Sequence, residues 1–179
     1  MDGVDKPLLP LGGRTVLDEL LRRLLPQVEC LAISANGDPK RYARFGLPVV
    51  ADGMADQGPL GGLASGLAWA ASLGADALLT IPGDTPFIPL DLVVRLNRAP
   101  TWAASEGAVH PLVALWPVAA GPALDAWLAE GQTRRVRAFG EAVGMRTVAF
   151  DEQADPFCNI NTPADLLAAQ SRAAALPPA

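Results

Sequence analysis

The 179-residue sequence contains one histidine and two cysteines, and these scarcities narrow its chemistry. Cys30 and Cys158 lie far apart with no CxxC spacing. That argues against a disulfide framework or a zinc site and for a reducing cytoplasm. Both are expected to be small core residues. With so little imidazole, general acid–base chemistry by histidine is not expected to be central, and His110, beside Pro111, reads as a satisfied structural residue. No run of about 18 apolar residues exists, so no membrane span is expected. The start MDGVDKPLLP lacks the charged-then-apolar order of a signal peptide. A net charge of −5 without any basic stripe argues against a general nucleic-acid binder. A small polyanion needs only a local positive site. GxSxG, HExxH and GxxxxGK[ST] are all missing, which removes hydrolase elbows, zincins and P-loop enzymes.

What is present is an alternation of short apolar runs with amphipathic segments. TVLDELLRRLL (15–25) places leucines at helical spacing behind a Thr15 cap with Asp18 three residues on. ECLAIS (29–34) reads as a buried strand, KRYARF (40–45) as a short helix stopped by Gly46, and LPVVAD (47–52) as a strand. A glycine-rich turn opens a helix over 58–74, and ADALLTI (75–81) has the apolar character of a strand inside a parallel sheet. A helix follows over 89–98, with Pro89 in its first turn. TWAAS and AVHPLVALW flank Glu106-Gly107, a hairpin signal, so the sheet is expected to be mixed at one side. Two helices, the strand MRTVAF and a last helix capped by Thr162 complete the pattern. The expected fold is α/β: three layers, Rossmann-like, a mixed but mostly parallel sheet flanked by helices.

In open α/β sheets ligands bind beyond the carboxyl ends of the strands. Three strands end there in polar residues: Ser34 and Asn36, Asp52, and Asp84 of LLTIPGDTPFIP. A lone aspartate at a strand end suits magnesium, which takes one or two carboxylates and fills its shell with water and phosphate. The pattern leaves open whether Asp84 does this or caps a following helix. Lys6 reads either as a phosphate contact or as a solvated lysine. Asn159 and Asn161 flank one residue, so on extended chain they face one way, to read a polar ligand or to shape a turn. Arg134, Arg135 and Arg137 read as a solvated helix face.

GVDKPLLPLGG, ISAN, PVVADGMADQGPLGGLASGL, LLTIPGDTPFIP, HPLVALW and NINTPADL, in this order, resemble the molybdenum cofactor guanylyltransferase family within the wider nucleotidyltransferase group. The resemblance implies transfer of GMP from GTP to molybdopterin, with pyrophosphate released and Mg2+ as cofactor. It implies nucleotide contacts at Lys6, Ser34, Asn36, Asp52 and Asp84, catalytic roles for Lys6 and Asp84, metal binding at Asp84, and a pterin side at Asn159 and Asn161. Partners would be GTP, molybdopterin and cofactor-biosynthesis or molybdoenzyme-maturation proteins. The alternatives are cytidylyl transfer to molybdopterin, nucleotidyl transfer to a sugar phosphate, or a non-catalytic relative that binds a cofactor intermediate or partner.

This chain departs from the family pattern at two places. Ser34 stands where many relatives carry asparagine, which shortens the reach of that contact and leaves Asn36 to share it. The family also opens with a strand and the loop LAGGxxxRMG before GxDK, whereas Met1 aligns with the methionine of RMG. The expectation is therefore a single, N-terminally truncated domain over 1–174 with a loose tail at 175–179. The family's first strand would lie centrally, so an open seam in the sheet is expected, with either a longer natural protein or a relative with a repaired seam.

Overall fold

The computed structural model describes residues 5–53 and 58–175. Strands β1 (Pro10–Leu11) and β2 (Arg14–Thr15) form a small antiparallel hairpin. Helix α1 (Val16–Leu24) starts on a capping box in which Thr15 and Asp18 each satisfy the other's backbone N–H. Strands β3 (Ile33–Ser34) and β4 (Val49–Val50) pair in parallel. Then come α2 (Pro59–Ser72), β5 (Ala77–Thr80), α3 (Leu92–Leu96), β6 (Thr101–Ser105), β7 (Ala108–Pro117), α4 (Gly121–Ala129), α5 (Val136–Ala142), β8 (Arg146–Ala149) and α6 (Pro163–Ala175). Of the expected tail only Ala175 is described, and it closes α6; residues 176–179 lie outside the described residues.

The main sheet has the order β5-β7-β6-β8. β6 and β8 are parallel, and β7 is antiparallel to both β5 and β6, so β5, β6 and β8 run one way and β7 alone opposes them. The hairpin turn forms where Glu106-Gly107 predicts it, with φ of 50° and 77° at the two residues, as a two-residue primed turn requires. β7 does not sit at one side, however. Its ten residues are long enough to pair with β5 and β6 at once, and it lies between them.

Alternation along β6 and β7 builds the layers. Trp102, Ala114 and Trp116 pack against α2, α4 and α5 through Leu63, Leu67, Leu124 and Phe139. Ala103, Val113 and Leu115 point the other way, to Leu17 and Leu20 of α1 and Leu92 and Leu96 of α3. Helices therefore cover both faces of a mixed sheet. A third cluster joins the β1–β2 hairpin to α6, through Leu11, Phe87, Ile160 and Ala169.

The two-stranded β3–β4 sheet is not hydrogen-bonded to the main sheet. A cavity of about 940 Å³ is lined by β3 on one side and β5 on the other. Five expectations are corrected here. β5 is paired on one edge only, by an antiparallel neighbour, and all four of its residues are half-buried, not enclosed in a parallel sheet. ECLAIS contributes a ladder of two residues, and Cys30 is exposed because its segment borders the cavity. Cys158 is only half-buried. The helix expected over 89–98 is confined to Leu92–Leu96, because Pro89 lies in the preceding turn, where its carbonyl accepts from Leu92 N and Gln27 Nε2.

Candidate active site

Asp84 leaves β5 on a turn in which Thr85 N donates to Pro82 O (3.2 Å). It does not cap α3, whose first turn follows Asp91. Its carboxylate lies 3.8 Å from Lys6 Nζ, and Lys6 in turn donates to Asn161 Oδ1 at 2.6 Å. Ile160 N donates to Asp84 O (3.0 Å), which ties the asparagine segment to the PGD turn. Asn159 accepts from Thr85 Oγ1 at 2.7 Å. The segment is held from behind by a second capping box, in which Asp165 N donates to Thr162 Oγ1 while Asp165 accepts from Thr162 N and Asn161 N. Those N–H groups hold the Asp165 carboxyl below its ordinary range. Lys6, Asp84, Asn159 and Asn161 thus converge, although 155 positions separate Lys6 from Asn161.

Burial pushes the Asp84 carboxyl above its ordinary pKa, and the Lys6 ammonium only partly opposes this. A half-buried carboxylate with one cation 3.8 Å away is under-compensated.

The second group sits across the cavity. Asn36 and Asp52 bond reciprocally: Asn36 Nδ2 donates to Asp52 Oδ2 (3.0 Å) and Asp52 N donates to Asn36 Oδ1 (2.9 Å). Ser34 Oγ and Asp52 Oδ1 would each lie 3.2 Å from a Cβ built on Gly62. The missing side chain at Gly62 is what lets the first turn of α2 close on both, and the sequence signal for it was GPLGG.

Arg41 and Tyr42 link the two groups, and reading the sequence missed both. Tyr42 Oη donates to Asp5 Oδ1 (2.9 Å), and Arg41 Nε lies 3.3 Å from Asp5 Oδ2. Arg41 also donates to Asn36 O (2.5 Å) and stacks on Tyr42. Among the described residues Asp5 Oδ2 is buried without an aligned hydrogen bond, and the Arg41 charge offsets it. Burial and the bond to Asp5 push the Tyr42 phenol up and keep it a donor. Asp5 precedes Lys6 and accepts from Leu8 N (2.9 Å), so this network fixes the turn that carries the lysine. Pro7, Tyr42 and Gly83 line both the 940 Å³ cavity and a 350 Å³ cavity beside Lys6 and Asp84.

Among the described residues no three of His, Cys, Asp and Glu gather as a metal cage. The single under-compensated carboxylate of Asp84 instead fits a hard cation that takes most of its ligands from phosphate and water. Arg134, Arg135 and Arg137 are exposed around the start of α5, with Arg137 paired to Glu141 at 3.0 Å. His110 bonds to Ser105.

Residues 1–145 match the MobA-like NTP transferase domain family. The chain is 52% identical over 172 residues to the molybdenum cofactor guanylyltransferase of Acidiphilium cryptum, covering 96% of this chain and 88% of that one. It is 48% identical over 173 residues to the protein of that name from Rhodobacter capsulatus, covering 95% and 88%. The solved structure of molybdopterin-guanine dinucleotide biosynthesis protein A from Archaeoglobus fulgidus superposes with a TM-score of 0.74 at 18% identity, covering 97% of this chain and 93% of that one. The 2-C-methyl-D-erythritol 4-phosphate cytidylyltransferase of Thermus thermophilus superposes with 0.68 at 19% identity, covering 94% of each.

Proposed function

This chain belongs to the MobA-like NTP transferase family as a nucleotidyltransferase of molybdenum cofactor biosynthesis, and from that premise we propose that it moves GMP from GTP to molybdopterin. An oxygen of the terminal phosphate of molybdopterin attacks the α-phosphorus of GTP. The bond from that phosphorus to the α,β-bridging oxygen breaks, and pyrophosphate leaves with the electron pair. The nucleophile is already anionic, so no base is needed, in keeping with the lysine, aspartate and asparagine that converge around Lys6.

The observation that carries this reading is the convergence of Lys6, Asp84 and Asn161, reached through Arg41 and Tyr42 from Ser34, Asn36 and Asp52. Ser34, Asn36 and Asp52 take the nucleoside end. Lys6 offsets charge on the triphosphate, which otherwise repels an incoming phosphate. Asp84 would hold Mg2+, which supplies charge neutralisation at the phosphates. Asn159 and Asn161, tied to Thr85 and Lys6, serve the acceptor side. No helix among the described residues is long and apolar enough to cross a membrane.

The test is pyrophosphate release by the full chain with molybdopterin, Mg2+ and either GTP or CTP. GTP-dependent release and a guanine dinucleotide product are expected, lost in Asp84→Ala with the fold intact. Preference for CTP, or full activity in Asp84→Ala, overturns the nucleotide or metal assignment respectively.

A further inference from the structure

A second polar cluster lies on the same sheet edge. Ser105 Oγ is 2.6 Å from His110 Nε2 and 2.6 Å from Asp155 Oδ1. Ser105 is 4% exposed, too enclosed to act as a nucleophile. Its place between the other two also differs from a hydrolytic triad, where the histidine is central. Thr80 of β5 pairs with Ala114 of β7 in antiparallel register, so Asp84 and His110 both follow that pair toward the same end of the sheet, His110 one ladder step past Ala114 on the β6 side.

The proton order follows from donor counting. A carboxylate only accepts, so the single Ser105 proton goes to Asp155. Ser105 Oγ must then accept from His110, which fixes the neutral ring as the Nε2–H tautomer and leaves Nδ1 a bare acceptor. Nδ1 has no bond to a described residue and is not among the buried unpaired atoms.

Local structure aims the ring. Ala103 pairs with His110 and Trp102 with Ala114, so Pro111, Leu112 and Val113 bulge out of the β6–β7 ladder. Pro111 has no N–H for a ladder, and bulges recur where a side chain must be re-aimed. The Phe157 ring lies 5.0 Å from the imidazole, and Asp155 also accepts from Phe157 N (2.9 Å). The cluster thus grips the segment that carries Asn159 and Asn161.

We propose that His110 is a substrate contact on the acceptor side, its Nδ1 accepting a hydrogen bond from an N–H edge of a heteroaromatic acceptor of pterin type, with Ser105 and Asp155 as its positioning residues. This rests on the acceptor reading above. Because the chain has one histidine, nitrogen-15 spectra of the labelled full chain report this ring alone. Recorded across pH, the neutral ring is expected to be Nε2–H, and its Nδ1 resonance to move upfield on saturation with 6-hydroxymethylpterin monophosphate. His110→Gln keeps a donor for Ser105 but moves the remaining acceptor, its amide oxygen, away from the position of Nδ1. It is expected to raise the KM for molybdopterin roughly three- to tenfold, the value of one hydrogen bond, and to leave the KM for GTP unchanged. A neutral Nδ1–H ring, an Nδ1 that does not respond to the pterin, or equal rises in both KM values overturns the inference. Should Nδ1 respond while no guanylyl transfer occurs, the function reading falls and this contact stands. Transfer with a silent Nδ1 has the opposite meaning.

Discussion

Ionised Asp84 weakens the fold, because burial raises its carboxyl above the ordinary pKa. An acid whose pKa is raised by folding ionises less readily in the fold than in the open chain. Its ionisation therefore costs stability as pH rises from the ordinary carboxylate value to the raised one, and the full cost stands above that. Burial sets this penalty, and Lys6 relieves it only in part. Asp84→Asn should accordingly melt higher than the parent at neutral pH, and the gap should close on acidification below the ordinary carboxylate range. A bound cation reverses the argument, since it favours the ionised form. At a Mg2+ concentration about a hundred times its dissociation constant, linkage gives about 2.7 kcal/mol to the parent and nothing to the variant. Melting curves of both proteins across pH, with and without Mg2+, check this; a variant that melts lower at neutral pH, or gains equally from Mg2+, refutes it.

Elements here are fixed by short-range chemistry and sited by long-range packing, and only the first is legible in a sequence. The Thr15–Asp18 and Thr162–Asp165 caps and the Glu106-Gly107 turn depend on neighbours within a few positions, and all form where expected. Cys30 was misplaced because its burial depends on whether the free edge of β3 has a neighbour. The Lys6–Asn161 and Ser105–Asp155 bonds span 155 and 50 positions, and no periodicity reports such pairs. Gly140 is another such case. A Cβ there would lie 2.3 Å from Trp102 Cζ3, and that indole is held by Trp102 Nε1 donating to Thr147 Oγ1 (2.8 Å). The ring cannot yield without losing its bond, so α5 docks on β6 only through glycine. Gly140→Ala should cost about 1–3 kcal/mol by overpacking, read as a lower denaturant midpoint with an unchanged slope. A variant as stable as the parent would mean that α5 moves freely on the sheet.

Across the whole molecule the pairing is unevenly divided, and the proposed site straddles the division. β7 is paired on both edges at the centre of the main sheet, whereas β3 and β4 share a two-residue ladder bordered by the 940 Å³ cavity. Ile33 and Ala35 donate to Pro48 and Val50. Ser34, between them, turns its N–H to the other edge of the strand, as alternate residues of a parallel ladder do. Its amide should exchange with solvent several powers of ten faster than that of Leu115 in β7, which opens only with the global fold. Ser34, Asn36 and Asp52 belong to the small sheet, whereas Asp84 follows the large one. A nucleotide held by both groups therefore ties the sheets together. GTP with Mg2+ should slow exchange in β3 and β4 as well as in the PGD turn, and Asp84→Ala should remove both effects. Protection confined to one side of the cavity would mean that the two groups do not share a ligand, and uniform exchange without ligand would mean that the seam is no weaker than the sheet.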